Sequence, residues 1–148
     1  MTCVYLPEAL RAVPYNGACI PGRVALADCA SGANCQLFAY ALLAHYGICV
    51  PPWRSSDLWA DTSVNSHVTS FEPLDLLLWN RTPQPWSAHV GVYLGEGQVA
   101  HLSRKVGFPA LWPLERFLEE PEYRVLIGAK RLRDTRTEFA TDTRREAQ

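Results

Sequence analysis

One cysteine and two histidines in this sequence have the types and spacing of a thiol-dependent acyl-transfer site. Cys35 opens the apolar run CQLFAYALLAHYG directly after Asn34, and His89 and His101 follow in HVGVYLG and QVAHLS. A thiol attacks a carbonyl as its thiolate, which a neighbouring imidazole generates by taking the proton. We therefore predict Cys35 as the nucleophile and His89 as the base, with His101 holding the ring of His89 in its working tautomer.

The residues around Cys35 predict a helix that begins at the thiol. Asn34 is a favourable N-cap, residues 35–46 are rich in Ala and Leu, and Gly47 suits the position after the last helical residue. Since this segment is apolar on nearly every side, we expect it to be buried against a sheet. The partial positive charge of the helix N-terminus favours a thiolate, and its unpaired N–H groups would receive the oxyanion.

Four largely apolar segments predict the strands of that sheet: residues 73–80, 88–95, 97–103 and 123–132. The Gly-Glu-Gly sequence at 95–97 predicts a tight hairpin between the second and third strands. Counted from Glu96, His89 and His101 lie seven and five residues away, so antiparallel pairing would bring them close together. We expect this pair of imidazoles to face the thiol on the helix.

The rest of the chain predicts little further regular structure. The first 30 residues contain several prolines and indicate an irregular segment with one short helix at 7–13. Pro113 fits the first position of a short helix over 114–120. Residues 133–148 mix charges with Thr and are predicted to be a disordered or frayed tail. One buried helix followed by antiparallel strands predicts an α+β fold in a single domain, residues 1–132.

Composition excludes several classes of function. The chain has 148 residues, of which 48% are hydrophobic, and a formal net charge of −1, so it lacks the positive field that attracts nucleic acid. No apolar run is long enough to span a membrane, and the start lacks a signal-peptide pattern. We expect a cytoplasmic protein, with an extracytoplasmic location open through a removed leader or leaderless export.

Cysteine usage argues for free thiols and against a metal site. Five cysteines is an odd number, so at least one thiol stays free, which fits a reducing compartment. No Cys-x-x-Cys pair is present, and neither a metal nor an organic cofactor is expected. Cys29, in DCASG, is the nearest competitor to Cys35, but no helix is predicted to begin there. His45 and His67 are interpreted as surface or packing residues.

Over residues 15–132 the sequence resembles the NlpC/P60 family of papain-like cysteine peptidases. That family has an Asp-Cys-Ser-Gly helix start, a His-Val-Gly-Ile-Tyr strand and a second polar residue in the next strand. The segments that resemble its nucleophile helix, second strand, base hairpin and closing strand are NCQLFAYALLAHYGICVPP, EPLDLLLWN, HVGVYLGEGQVAH and YRVLIGAKRL. The resemblance implies a papain-like fold with a nucleophile helix on an antiparallel sheet, and the roles already given to Cys35, His89 and His101.

The resemblance also indicates residues for the oxyanion and the substrate. Tyr15, in PYNG, resembles an upstream tyrosine near the oxyanion site. Asn34 replaces the family's acid, and Gln36 stands where the family has serine. In relatives that trim murein peptides, the acid and the hydroxyl help to hold a free amine, and Asn34 has no charge for that task. Trp53 is expected to shape a wall of the cleft, as are Trp59 and Trp86 on neighbouring loops.

The implied activity is hydrolysis of an amide bond in murein peptides, through an acyl-enzyme at Cys35. A γ-D-glutamyl link or a neighbouring bond is the expected target. Three alternatives stay open: an antibacterial toxin or effector, an amidase or acyltransferase acting on a non-murein amide, and a non-catalytic binding domain with the same fold. A Cys35 that is only an inert core residue would fit the last of these.

Overall fold

Residues 3–132, which the computed structural model describes, form one six-stranded antiparallel sheet covered by helices. The strands are β1 Asn65–Val68, β2 Leu76–Asn80, β3 His89–Gly95, β4 Gln98–His101, β5 Ala110–Pro113 and β6 Val125–Leu132, in the spatial order β1-β6-β2-β3-β4-β5. The helices are α1 Cys35–His45, α2 Ser55–Ala60 and α3 Leu114–Phe117, with 3₁₀ turns at Glu8–Leu10, Leu26–Ser31 and Pro121–Tyr123. The predicted α+β class is confirmed.

Helix α1 forms where the sequence predicts it, one residue shorter at its end. The Leu37 N–H donates to Asn34 Oδ1 at 2.8 Å, which satisfies one of the unpaired donors of the first turn. Every side chain from Gln36 to Leu43 is buried. Gly47 follows the helix with φ 86°, a backbone conformation that favours glycine. The helix therefore lies inside the protein with only its two ends near the surface.

The sheet is buried on both faces, each against a different core. The helix-side core lies between α1 and the sheet and includes Phe38, Leu42, Leu76, Leu78, Val90 and Val92. The aromatic-side core covers the other face and includes Leu77, Trp79, Val99, Trp112, Phe117 and Tyr123. Because side chains alternate along a strand, adjacent residues of β2 and β3 belong to different cores.

The two histidines lie on the aromatic-side face. His89 is directly opposite Trp79 in the β2/β3 pairing, and its ring stacks on Tyr123 at 4.5 Å between centroids. The His101 ring contacts Trp112 and Phe117. Both side chains therefore lie on the face of the sheet that is turned away from the helix-side core. Because side chains alternate along a strand, Val90 lies on the helix side and its neighbour His89 does not.

The hairpin that joins β3 and β4 is confirmed. Glu96 and Gly97 form its two-residue turn with φ values of 55° and 78°, the combination that hairpins with a right-handed twist require. The pairing shifts between Tyr93 and Gly95. This turn sets the register that brings the two histidines together.

Several short elements differ from the prediction. Strands β1 and β5 occupy the two edges of the sheet and have four residues each, and α2 has six residues without a side-chain cap, so none has a strong sequence pattern. The segment predicted at 7–13 is a three-residue 3₁₀ turn, and α3 ends at Phe117. Pro113 is the N-cap of α3 instead of its first residue, because its extended ψ of 151° continues β5.

The helices and strands described above leave two predictions untested. The predicted tail, residues 133–148, lies outside the described residues. The assignment of residues 1–132 to a single domain stays a prediction. Among the helices of the described range, none is long and apolar enough to cross a membrane.

Candidate active site

A cavity of about 780 Å³ opens where the start of α1 meets the start of β3. Five of the predicted site residues line it: Tyr15, Asn34, Cys35, Gln36 and His89. His101 lies behind His89 and is fully buried. The structure thus places the predicted thiol and the His89 imidazole in the lining of one cavity, with His101 in direct contact with His89.

Cys35 is the first residue of α1 and is partly exposed to the cavity. Burial raises the pKa of its thiol, while hydrogen bonds from the backbone N–H groups of Val90 and Gln36 and the charge of Arg54 lower the pKa by smaller amounts. The helix N-terminus is expected to favour the thiolate, but burial outweighs its effect on the pKa of this sulfur. At neutral pH the resting group is the thiol, and a base must remove its proton during attack.

The two imidazoles form a direct pair. His89 Nε2 and His101 Nδ1 lie 2.9 Å apart, and the ring planes are nearly perpendicular at 85°. The predicted proximity of these residues is confirmed. No hydrogen bond joins Cys35 Sγ to the His89 ring within residues 3–132; in unliganded enzymes this contact is commonly long and shortens when substrate binds. With Nε2 occupied, Nδ1 is the His89 nitrogen that can take the thiol proton.

The base role of His89 depends on which of its nitrogens is protonated. His101 Nε2 is buried without a hydrogen-bond partner among the described residues, and its ring lies 4.3 Å from Trp112 and 4.6 Å from Phe117, measured between centroids. His89 Nδ1 can take the thiol proton only if His89 Nε2 carries the ring proton and donates it to His101 Nδ1. We infer this tautomer, in which His101 is protonated on Nε2.

Both imidazoles are neutral at physiological pH. Burial lowers the pKa of His89 to about 3 and that of His101 to about 2. Tyr123, whose ring stacks on His89, also stays protonated because burial raises its pKa to about 12. The resting site is thus an uncharged thiol, imidazole and phenol, in which charge appears only when the thiol proton moves to His89.

These lowered pKa values predict acid-sensitive stability. Unfolded histidines take up protons near pH 6.5, whereas the folded pair does so only near pH 3 and below. Stability is therefore complete above pH 6.5 and falls with decreasing pH, with a slope approaching about 1.4 kcal/mol per pH unit for each histidine. Urea unfolding between pH 7 and 5 measures this slope.

The matched control for the pH series is His101→Gln, which lacks one titrating group and should show a smaller slope over the same range. A free energy of unfolding that stays constant from pH 7 to 5 would contradict the buried neutral pair.

Gln36, the residue after Cys35, accepts hydrogen bonds from Asn34 and from Arg54, a cation for which the sequence predicts no role. Gln36 is 3% exposed, and its Oε1 accepts from Arg54 Nε at 3.0 Å and from Asn34 Nδ2 at 3.5 Å. Asn34 also caps α1 through its other side-chain atom. Arg54, at the N-terminus of α2, therefore lines the cavity in a position fixed by Gln36.

The tryptophans predicted to shape the cleft do not line it. Trp53 packs against the helix-side core, and its carbonyl accepts from the Tyr40 hydroxyl at 2.9 Å. Trp59 lies on α2, where its ring contacts His67 on β1. Trp86 is 70% exposed and lies outside the cavity lining. Each prediction fails because a loop assignment does not fix the direction in which a side chain points.

Other candidate residues of the sequence lie away from the cavity. Cys29 is buried within the 3₁₀ turn Leu26–Ser31, and burial raises the pKa of its thiol. His45 is exposed at the far end of α1, and His67 is exposed on β1. No group of three or more His, Cys, Asp or Glu side chains in residues 3–132 is arranged to hold a metal ion.

Sequence reasoning missed the aromatic residues that surround the imidazoles. Trp112, Phe117 and Tyr123 come from β5, α3 and the turn after it, elements too short to give a clear pattern. Their signal in the sequence is the spacing of three aromatic residues within twelve positions. The spacing predicts a local cluster but not its position against the histidines.

Comparison with known proteins relates this arrangement to one fold. No protein-family model matches the sequence, and no curated protein matches it either. Among solved structures, an NlpC/P60 family protein from Bacillus cereus ATCC 10987 is similar over 87% of this chain, with a TM-score of 0.57 and 21% identity; the match spans 41% of that protein. The NlpC/P60 domain of the peptidoglycan hydrolase SagA is similar over 73% of this chain and 83% of its own length, with a TM-score of 0.51 and 24% identity. The chain therefore has the NlpC/P60 fold, as the resemblance in its sequence predicts.

Proposed function

We propose that this protein is a cysteine hydrolase that cleaves an amide bond in murein peptides. The observation that supports the proposal is one cavity that contains a thiol at a helix N-terminus and an imidazole with a single free nitrogen, oriented by a second imidazole. Cys35 is the proposed nucleophile, His89 the base and His101 the positioning residue.

The proposed reaction has two halves. Cys35 Sγ attacks the amide carbonyl while its proton passes to His89 Nδ1, and the oxyanion is received by N–H groups at the start of α1 and by the Tyr15 hydroxyl. The imidazolium returns the proton to the leaving amine, and an acyl-enzyme remains. Water then attacks the thioester, with His89 accepting its proton, and the carboxylic acid leaves as the thiol is restored.

Support for a murein substrate comes from the fold, which this chain has in common with a domain of a peptidoglycan hydrolase. Within that class we propose a γ-D-glutamyl bond as the target. The uncharged Asn34, which stands where the family has an acid, favours a second candidate, an amidase or acyltransferase that acts on a different amide, including an antibacterial effector. A cytoplasmic location stays a prediction from the sequence.

The test uses purified sacculi, soluble muropeptides and amides that do not occur in murein as parallel substrates. Mass spectrometry should detect new amine and carboxylate termini in the muropeptides with the natural protein and none with Cys35→Ser. Products from the unrelated amides alone would favour the second candidate. Binding to sacculi without cleavage of any substrate would contradict enzymatic activity and indicate a binding domain.

A further inference from the structure

We propose that Arg54, held by Gln36, forms a carboxylate-binding subsite beside Cys35, so that the preferred substrate carries a carboxylate close to the scissile amide. This inference rests on the proposed hydrolase function and specifies its substrate class.

The first argument is the way in which Arg54 is held. Gln36 Oε1 accepts from Arg54 Nε at 3.0 Å, and this acceptor is a neutral amide oxygen, so it fixes the guanidinium without cancelling its charge. Within residues 3–132, neither Nη atom of Arg54 has a hydrogen-bond partner, and no carboxylate oxygen lies within 4 Å of the group. A guanidinium whose two Nη groups are free can donate two parallel N–H bonds to a carboxylate.

The second argument is the position of Arg54 relative to the thiol. Arg54 lines the same cavity as Cys35, and its charge lowers the pKa of that thiol, which places it within electrostatic range of the sulfur. Gln36 is the residue directly after Cys35 and is buried at the base of the cavity. An anion bound by Arg54 would therefore lie near the carbonyl under attack.

The third argument is the charge of the whole cavity. Its lining contains four cationic side chains, Arg54, Arg81, Arg104 and Lys105, against one carboxylate, Glu122. Lys105 Nζ lies 2.7 Å from Glu120 and 4.0 Å from Glu122, so the lining carboxylate already faces a cation. An excess of positive charge in a cleft of a chain with net charge −1 attracts anions and repels ammonium groups.

These observations describe a substrate whose amine is blocked and whose acyl part carries a carboxylate. A γ-linked glutamyl residue has this chemistry, since its α-carboxylate is three carbon atoms away from the carbonyl that the thiol would attack. A free α-amine next to the scissile bond would meet the guanidinium and be disfavoured.

The experiment compares two peptides that differ in one group. N-acetyl-γ-D-glutamyl-L-lysine is prepared with a free α-carboxylate and with an α-carboxamide, and kcat/KM is measured for both. We expect the natural protein to prefer the carboxylate by about ten- to a hundredfold, the range of a charge-assisted hydrogen bond. In Arg54→Gln this preference for the carboxylate over the carboxamide should disappear, whatever the absolute rates of the variant.

The matched control is Arg104→Gln, which removes the same charge from the wall where Arg104 lies over the Tyr15 ring. The Arg104→Gln variant should keep most of the preference for the carboxylate peptide. Equal losses in the two variants would overturn the Arg54 subsite in favour of a general field, and no preference in the natural protein would overturn the inference while leaving hydrolase activity in place.

A binding measurement separates failure of this inference from failure of the proposed function. If neither peptide is cleaved, the Cys35→Ala variant is titrated with both peptides by calorimetry. Tighter binding of the carboxylate by at least about tenfold, lost in the Cys35→Ala/Arg54→Gln double variant, would support the subsite. Equal affinity for the two peptides would refute it.

Discussion

Cys35→Ser should lower kcat for amide hydrolysis by at least about 10⁴-fold, because the proposed reaction proceeds through a thioester, which a serine cannot form. The serine hydroxyl is a far weaker acid than the thiol, so its proton passes to His89 much less readily. Initial rates on the best substrate measure the effect. Mass spectrometry of the intact natural protein should show the transient acyl adduct, absent from the variant.

Cys29→Ser is the matched control for this substitution. Cys29 is buried in a 3₁₀ turn and does not line the cavity, so the variant should retain hydrolysis within a few-fold once its folding has been verified by circular dichroism. Activity of Cys35→Ser above a tenth of the natural rate, or loss of activity in the Cys29 variant alone, would refute the assignment of the nucleophile.

His101→Leu should lower kcat by about 10²- to 10⁴-fold and leave KM nearly unchanged. Without the Nδ1 acceptor, His89 loses the hydrogen bond that keeps its proton on Nε2, and the tautomer with a protonated Nδ1 cannot accept the thiol proton. Since His101 is buried away from the cavity lining, substrate binding should be little affected. Steady-state kinetics of His101→Leu, and of the His101→Gln variant described next, measures kcat and KM separately.

His101→Gln distinguishes positioning from packing, because a side-chain amide supplies an acceptor oxygen that leucine lacks. We expect it to restore at least a tenth of the natural kcat. ¹⁵N NMR of His89 should show the Nε2-protonated tautomer in the natural protein and in His101→Gln, and a mixture in His101→Leu. Equal kcat values for the two variants would indicate that His101 contributes packing only.

The parts of the site that could be predicted are those governed by local chemistry. Asn34 followed by an apolar run and Gly47 defines both ends of α1, since capping depends on the residues themselves. Gly95 and Gly97 around Glu96 define the hairpin, because few other residues adopt its backbone conformation. From the hairpin the closeness of His89 and His101 follows by counting residues outward from Glu96.

The parts that could not be predicted depend on contacts between distant segments. Nothing near Arg54 in the sequence indicates that it meets Gln36, 18 residues earlier. The pKa of Cys35 is likewise raised by residues packed around it, which outweigh the favourable helix N-terminus that the sequence does reveal. The direction of the Trp53 side chain could not be predicted for the same reason, because it is set by the helix-side core that Trp53 contacts.

The ring that positions the proposed base is itself held by one short segment. Trp112, Phe117 and Tyr123 contact the imidazole pair and all lie within residues 112–123, whereas α1 packs against residues spread from Val4 to Leu132. A substitution that unfolds residues 112–123 alone would therefore release the His101 ring and leave most of the packing of α1 in place.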